Sequence, residues 1–492
     1  MKTAYWPGTL LISASLLQSG LGQVLAEDAS PSPMPTSSSV APSPSPAQQQ
    51  IKQTLRLFPL PGQLDSLPMF NDNSPESVKQ SGILLSTLPN RGKVDSPFLD
   101  YGFQGDFGVF SHHILIDEIP GKRLLYLGLI ASNYSAKPVT LTLRQGSSYL
   151  TQPDAAFIYT LPAVAPNPGA TIFSGPGDRL SSEWIIGRMR FKDQVFTIAP
   201  GSSQILSSLP INTDVPNLSP RPGGGAPLAV NGRSTLMHFQ ADQPIYLSQL
   251  AWMAKRENGA PDGAFVPPGL DDYRSLINAG KFANPREPFS DYDEQHPPKG
   301  SFRYGRVAGI SPGLNWKGSF WEGPRQQEMP GPGETIGYPI ATTYVKRFGT
   351  GQNQSGRMIR RYKDSPPENH GNYCLRYALD LPLANQSAMP QTYQLSLTQP
   401  LNGNLATGKN ELIYQEPPNG TRMFRGSVRV QWTDAQHQLQ DHLIHLDLRN
   451  GQLAPALLSI TVPPKASYAV KLSLIYPPDA TPPQLLTIRR ES

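Results

Sequence analysis

The chain has 492 residues, of which only 16% are charged, and a formal net charge of +5. So small an excess of positive charge gives no argument for nucleic-acid binding. The 53 prolines and 43 glycines exclude a mainly helical protein, because a proline inside a helix costs about 3 kcal/mol. Beyond the N-terminal segment roughly 440 residues remain. A single hydrophobic core rarely accommodates so many residues, so we expect at least two packing units.

The first 50 residues carry the signs of export. Lys2 precedes an apolar run that ends at Val24-Leu25-Ala26, as in a signal peptide over residues 1–26. Serine and proline dominate residues 27–50, which predicts a disordered linker. The pattern is compatible with a signal peptide that is cleaved and with one that is retained as an N-terminal anchor. After the signal, no run reaches the 18 apolar residues of a membrane helix, so we expect no transmembrane segment there.

The cysteine content restricts the cellular compartments in which we expect the protein. Cys374 is the only cysteine, so an intrachain disulfide is excluded, although oxidising compartments favour such bonds. Cys374 also lies too far from the signal to serve as a lipidated N-terminus after cleavage. We therefore expect the periplasm or cell surface of a Gram-negative-type bacterium.

Residues 51–256 have the pattern of strands. An apolar run over 123–130 predicts a buried strand, and the alternation over 138–144 predicts a half-buried one. Their pairing resembles an immunoglobulin-like sandwich. Further strands are predicted over 183–191, 194–198, 203–209, 234–240 and 245–251. Together these segments predict an N-terminal β-sandwich lobe.

Residues 257–371 predict a loop-rich, aromatic-rich bridge with one short helix. Asp271 or Asp272 would cap this helix, Tyr273 begins its apolar face, and Gly280 would end it. Loops of this length are usually functional or disordered, and the aromatic content favours order. We therefore expect a binding site in this region.

Regularly spaced strands return over residues 372–492 and predict a C-terminal β-sandwich lobe. The fold class predicted for the whole chain is all-β, with two β-sandwich or jelly-roll-like lobes and at most a few short helices. We find no repeat at a fixed period.

The chain lacks the motifs of nucleotide-binding proteins, zinc proteases and serine hydrolases, and no cofactor is predicted. His442 and His445 would face opposite sides of a strand, so we predict no metal site. Catalytic residues are not identified. A glycosidase would need two nearby carboxyl groups, for which the central region offers these candidates: Asp271, Asp272, Glu322, Glu328 and Glu334.

Three aromatic residues form the first candidate ligand site. Trp316, Phe320 and Trp321 lie in a glycine-rich setting. Exposed rings of this kind can stack on sugars, whereas buried rings would form the core of the loops. The sequence leaves both interpretations open.

Five separated motifs resemble a known family. They are Tyr304-Gly305-Arg306-Val307-Ala308-Gly309, Thr350-Gly351-Gln352-Asn353-Gln354-Ser355, His370-Gly371-Asn372-Tyr373, Phe424-Arg425-Gly426 and Tyr476-Pro477-Pro478-Asp479-Ala480-Thr481-Pro482-Pro483-Gln484. Together they resemble an exported cyanobacterial family catalogued only as a domain of unknown function, with similarity from about residue 53 to about residue 488. The resemblance implies a periplasmic or cell-surface location and supplies no activity or catalytic residue.

Within these motifs, Arg306 and Arg425 are candidate binding residues, because a guanidinium is a planar group with several donors for carbonyls or carboxylates. We predict an exported envelope or extracellular protein without enzymatic activity that binds polysaccharide, peptidoglycan or another surface protein. One alternative is a glycan-active hydrolase that uses carboxylates of the central loops. The other is a structural subunit of a surface layer or appendage. The sequence does not indicate an oligomeric state.

Overall fold

A computed structural model describes residues 48–92, 96–216, 218–221, 224–260, 263–292, 295–296, 303–320 and 329–492. The predicted signal peptide and most of the predicted linker lie outside the described residues. Strands dominate these ranges, and only two α-helices occur in them. The predicted all-β class is therefore confirmed.

The strands of the first half alternate with tight turns. They are β1 (Gln49–Thr54), β2 (Arg56–Leu57), β3 (Gln63–Leu64), β4 (Pro68–Asp72), β5 (Gly82–Ser86), β6 (Phe103–Asp117), β7 (Leu124–Ser132), β8 (Val139–Leu150), β9 (Val164–Pro166), β10 (Phe191–Ile198), β11 (Ser203–Asn212) and β12 (Ala229–Met253). The helix α1 (Pro176–Ile185) lies between β9 and β10, and α2 (Leu270–Ala279) follows β12.

The second half continues the series. Its strands are β13 (Ala308–Pro312), β14 (Asn315–Ser319), β15 (Thr335–Ile340), β16 (Arg360–Arg361), β17 (Arg376–Ala384), β18 (Gln391–Thr398), β19 (Glu411–Glu416), β20 (Arg422–Thr433), β21 (Leu439–Arg449), β22 (Leu458–Val462), β23 (Ser467–Ile475) and β24 (Gln484–Arg490).

The N-terminal lobe is built around β12, a strand of 25 residues. Its first part pairs with β6 and β8, and its second part pairs with β5 and β7 after a break in register between Ala241 and Ile245. A long strand that bends at such a break can belong to two sheets that pack face to face. Phe103, Phe107 and Phe239 stack in the core between these faces.

The C-terminal lobe consists of two sheets. One has the order β3-β14-β17-β23-β20-β21-β9, and the other has the order β2-β15-β24-β18-β22. Side chains of both sheets, among them Tyr377, Tyr393 and Val430, form one buried core. Strands β1 and β19 pair as a separate ribbon.

Strands distant in sequence join the two lobes. The short strands β2, β3 and β9 of the first half belong to the C-terminal sheets, whereas β13 and β16 of the bridge extend the N-terminal sheet. The bridge also supplies β14 and β15 to the C-terminal sheets. The predicted division at residues 256 and 371 stays a prediction, and both lobes contain strands from more than one of the predicted segments.

Helix α1 corrects a sequence prediction. The predicted strand over 183–191 is wrong, because its first residues belong to this helix, whose apolar positions follow helical rather than strand spacing. Leu180 and Trp184, four residues apart, are both buried and therefore share a helix face. The helix packs between β8 and β12 of one lobe and β20 and β23 of the other. Asp178 accepts a hydrogen bond from His445 at 2.7 Å across this interface.

Helix α2 confirms the predicted short helix. It spans Leu270–Ala279 and ends at Gly280, which has a left-handed backbone (φ 61°). The cap residue is Gly269 rather than an aspartate, and Asp272 accepts a hydrogen bond from the Gly269 amide at 2.8 Å. The Tyr273 side chain is fully buried, as expected for the apolar face of the helix.

The two lobes repeat one arrangement of four strands. In the N-terminal lobe β11 pairs with β7, and β10 pairs with β8. In the C-terminal lobe β23 pairs with β17, and β22 pairs with β18. The sheet orders β10-β8-β12-β6-β4 and β22-β18-β24-β15-β2 match strand for strand, including a parallel last pair in each.

The same turn connects the first two of these strands in each lobe, β7 to β8 and β17 to β18, which pair with other strands rather than with each other. Asn133 follows β7, and its Nδ2 atom donates to the carbonyls of Lys137 (2.8 Å) and Ile198 (2.9 Å). Its Oδ1 atom accepts from the amide of Ser135 at 2.8 Å and from its hydroxyl at 2.7 Å. This single side chain therefore holds both the turn and the end of β10.

Asn385 follows β17 and makes equivalent contacts. Its Nδ2 atom donates to the carbonyls of Met389 (2.8 Å) and Val462 (3.0 Å). Its Oδ1 atom accepts from the amide and the hydroxyl of Ser387 at 2.9 and 2.8 Å. The local sequence Asn-x-Ser-Ala-x-Pro occurs at 133–138 and again at 385–390.

Candidate functional site

A cavity of about 90 Å³ lies where the two lobes meet. Charged and aromatic side chains from both lobes and from the bridge line it: Glu76, His112, Phe157, Tyr159, Arg306, Tyr373, Arg422, Arg425 and Asp479, beside Pro478, Ala480 and Thr481.

A β-bulge in β20 brings two arginines to the cavity. Arg422 and Arg425 are three positions apart, so regular alternation would place them on opposite faces of the strand. The pairing of β20 with β21 shifts register between Arg422 and Phe424. Such a bulge adds one residue and re-aims the side chains, and both guanidinium groups consequently line the same cavity.

Arg422 is held by partners within the protein. Its Nε atom lies 2.7 Å from Oδ1 of the buried Asp447, and its Nη2 atom donates to the Tyr159 carbonyl at 2.7 Å. Because Asp447 lies so close, its carboxylate balances the charge of Arg422. Burial raises the pKa of the neighbouring Tyr159, while the charges of Arg425 and Arg422 oppose that rise.

Arg306 is balanced in the same way. Its Nη2 atom lies 2.5 Å from Oε1 of Glu76, and Nε2 of His112 lies 3.5 Å from the same oxygen. The ring of His112 is fixed by a 2.8 Å hydrogen bond between its Nδ1 atom and Ser234. Burial alone would raise the pKa of Glu76, but Arg306 and His112 outweigh it and hold the pKa below its usual value.

Asp479 connects the cavity to helix α1. Its Oδ2 atom accepts a hydrogen bond from the amide of Gly177, the second residue of α1, at 3.1 Å. A Cβ atom on Gly177 would lie 2.8 Å from this oxygen, so glycine permits the close approach. Burial and the neighbouring Asp178 raise the pKa of Asp479, although His112 and Arg425 oppose the rise.

A buried guanidinium nitrogen without a well-aligned hydrogen bond occurs in Arg422 (Nε) as well as in Arg425. Arg425 differs from Arg306 and Arg422 because no carboxylate forms an ion pair with it among the described residues. It is only 6% exposed, and its guanidinium carbon lies 5.0 Å from the ring centre of Phe157 and 5.6 Å from that of Tyr159. Its Nε and Nη2 atoms are buried and have no hydrogen-bond partner in the part of the chain that the structure describes. Burying a cation without partners is costly, and such a group calls for an explanation such as a bound ion or ligand.

Two of the predicted binding residues therefore come together. Arg306 and Arg425 are far apart in sequence but line one cavity. Trp316 and Phe320 are 5% and 4% exposed and belong to the core of the C-terminal lobe. The Nε1 atom of Trp316 donates to the Pro61 carbonyl at 2.9 Å. Neither ring presents a face to a ligand, because both are used in packing.

Trp321, Glu322 and Glu328 lie outside the described residues. The other central carboxylates have structural partners. Glu334 forms an ion pair with Arg56 at 2.5 Å, Asp271 pairs with Arg274 at 3.2 Å, and Asp272 caps α2. Within the described ranges these three carboxylates do not converge on one cleft.

Neither a metal site nor a membrane helix occurs in the described part of the chain. No group of three or more His, Cys, Asp or Glu side chains lies close enough there to hold a metal ion. None of the helices in these ranges has the length and apolar character required to span a bilayer. The histidines have other partners: His445 contacts Asp178, and His442 stacks on Trp432 with ring centres 5.2 Å apart.

Sequence reasoning missed most of the cavity. Glu76, Phe157 and Tyr159 lie in loops with no recognisable motif, and only the fold brings them to the arginines. Asp479 was seen only as part of a proline-rich motif. One signal was available: Arg422 and Arg425 flank the apolar pair Met423-Phe424 at the start of a predicted strand, and charged residues are rarely buried unless they are paired.

The chain belongs to the family described as "Protein of unknown function (DUF3370)", whose model matches residues 53–490. No curated protein matches the chain.

Solved structures of seed globulins are similar to the chain only at low scores. The 11S allergen from Cocos nucifera has 10% identity and a TM-score of 0.11, with 86% of this chain and 90% of that chain covered. The recombinant pro-11S globulin of pumpkin has 8% identity and a TM-score of 0.13, with 85% and 86% covered. Procruciferin, the 11S globulin from Brassica napus, has 12% identity and a TM-score of 0.10, with 87% and 85% covered. Scores this low carry no argument about fold or function.

Proposed function

We propose that this DUF3370 protein is an exported, non-enzymatic binding protein of a bacterial, in particular cyanobacterial, cell envelope, and that it holds an anionic group of an envelope polysaccharide in the cavity between its lobes. The export signal over residues 1–26 and the lone Cys374 support the compartment. Peptidoglycan and another surface protein are the competing ligands.

One observation carries the proposal. Arg425 is a buried cation whose Nε and Nη2 atoms lack hydrogen-bond partners in the described part of the chain, and its side chain lines the cavity. Arg306 and Arg422 beside it already have carboxylate partners. An anion bound at Arg425 would supply the compensating charge and acceptors, and charge-assisted hydrogen bonds of this kind are among the strong ones.

The cavity suits binding better than glycan hydrolysis. Pockets that enclose a whole small-molecule ligand usually exceed about 300 Å³, whereas this one measures about 90 Å³. It has room for a charged head group but not for a sugar chain held across two carboxylates. Glu76, which shares the cavity, is engaged by Arg306.

Retention on envelope fractions tests the proposal. The purified exported chain is applied to immobilised envelope polysaccharide and to purified peptidoglycan from the native host, together with the variants Arg425→Met and Arg489→Met. Arg489 is exposed on β24, so its variant removes one positive charge away from the cavity.

We expect retention of the wild type and of Arg489→Met on the polysaccharide, and loss of retention for Arg425→Met. Equal retention of all three chains would reject the cavity as the binding site. Release of the wild type from both materials, with recovery of a stoichiometric protein partner instead, would reject a polysaccharide ligand.

A further inference from the structure

We infer that the group recognised in the cavity is a carboxylate with a single negative charge, as carried by the uronic-acid residues of envelope polysaccharides. This inference rests on the proposed function and specifies its ligand. The charges around the cavity, the geometry of arginine pairs in this molecule and the aromatic wall support it independently.

The charge balance favours a monoanion. Arg306 is paired with Glu76, and Arg422 is paired with Asp447. Among the described residues Arg425 has no such ion pair, and burial raises the pKa of the neighbouring Asp479 while Arg425 lowers it. A ligand with one negative charge would give Arg425 an ion-pair partner of its own. Free sulfate or the dianion of a phosphate monoester would bring a second, uncompensated negative charge into a buried place, which is costly.

Two other arginines of the molecule bind a carboxylate through two nitrogens. Arg56 donates from Nε and Nη2 to the two oxygens of Glu334. Arg429 donates from Nε (2.9 Å) and Nη2 (2.6 Å) to the two oxygens of Asp441. The same two nitrogens of Arg425, Nε and Nη2, have no hydrogen-bond partner among the described residues, and this edge of a guanidinium matches a carboxylate in a bidentate pair.

The wall of the cavity favours a sugar acid over a bare ion. Phe157, Tyr159 and Tyr373 contribute aromatic surface beside the arginines. Aromatic rings present flat apolar faces on which the C–H face of a sugar ring can pack. A cavity of about 90 Å³ takes the carboxylate and the carbons next to it, so the rest of the polysaccharide would lie outside.

Isothermal titration of the full chain at pH 6 tests the inference with defined probes: sodium glucuronate, glucose, sodium sulfate and the dipeptide D-alanyl-D-alanine. Glucose has the same ring without the carboxylate, sulfate is a dianion, and the dipeptide offers a carboxylate of the peptidoglycan type. The proteins are the wild type, Arg425→Met, Arg425→Lys and Arg489→Met. Thermal unfolding of each variant shows whether it is folded.

We expect glucuronate to bind the wild type and Arg489→Met at least tenfold more tightly than sulfate or the dipeptide, with no measurable binding of glucose. Arg425→Lys keeps the charge but not the paired donors, so its affinity for glucuronate should fall at least tenfold. If sulfate binds as tightly as glucuronate, the inference of a ligand with a single negative charge is wrong. If the dipeptide binds more tightly than glucuronate, the inference that the ligand is a sugar acid is wrong.

The failure of the proposed function gives a different result. If glucuronate, sulfate and the dipeptide all fail to bind a folded wild-type chain, the cavity does not bind anions. If glucuronate binds Arg425→Lys as tightly as the wild type, the positive charge alone accounts for the affinity. The inferred bidentate contact between the carboxylate and Arg425 is then wrong.

Discussion

The two asparagine turns allow the structural account to be tested quantitatively. Asn133 is 1% exposed and Asn385 is fully buried, and the Nδ2 atom of each donates to carbonyls on both sides of its turn. Replacement by alanine removes these bonds and the two that each Oδ1 atom accepts. A typical hydrogen bond contributes about 0.5–1.5 kcal/mol, so the loss of four such bonds should cost each variant about 2–6 kcal/mol.

Urea unfolding followed by far-ultraviolet circular dichroism measures the loss. Asn133→Ala and Asn385→Ala should shift the midpoint to lower urea concentration by similar amounts, because the two turns make equivalent contacts. Asn404→Ala is the control, since Asn404 is exposed and surface substitutions usually change stability by less than about 0.5 kcal/mol. The reasoning is refuted if either turn variant unfolds like the control.

Three further results are expected. Gly177→Ala should destabilise the chain by about 1–3 kcal/mol in the same unfolding assay, because its Cβ would lie 2.8 Å from an Asp479 oxygen; wild-type stability would contradict that contact. Burial lowers the pKa of His370 to about 4, so its neutral form is favoured in the folded state, and about 3 kcal/mol of stability should be lost as the pH falls from about 6.5 to about 4; His370→Gln should show a correspondingly smaller loss over that range. The Cys374 thiol is buried and its pKa is raised, so Ellman's reagent should label it only in urea; fast labelling of the native chain would contradict the burial.

The sequence predicted the features that depend on local patterns. The period-two alternation identified β8, and Gly280 correctly marked the end of α2. The predicted strand at 183–191 failed because its apolar run, Trp184-Ile185-Ile186, is too short to show a helical or a strand period. A short apolar run cannot by itself distinguish a buried helix from a strand.

The cavity could not be predicted, because it depends on contacts between distant residues. Gly177 and Asp479 are 302 positions apart and meet only through the packing of α1 between the lobes. Arg422 and Arg425 share the cavity only because of a bulge in β20, which their spacing alone would not indicate. The duplication of the asparagine turn was visible in the sequence, but a single recurrence of six residues has no period that a repeat search would detect.

A crystal structure of the wild-type chain grown with sodium glucuronate tests the central claim most directly. We predict density for the carboxylate in the cavity, with its two oxygens about 2.7–2.9 Å from Nε and Nη2 of Arg425 and the sugar ring against Phe157 or Tyr159. Glucuronate bound elsewhere, or a cavity that contains only water at saturating glucuronate, would contradict it.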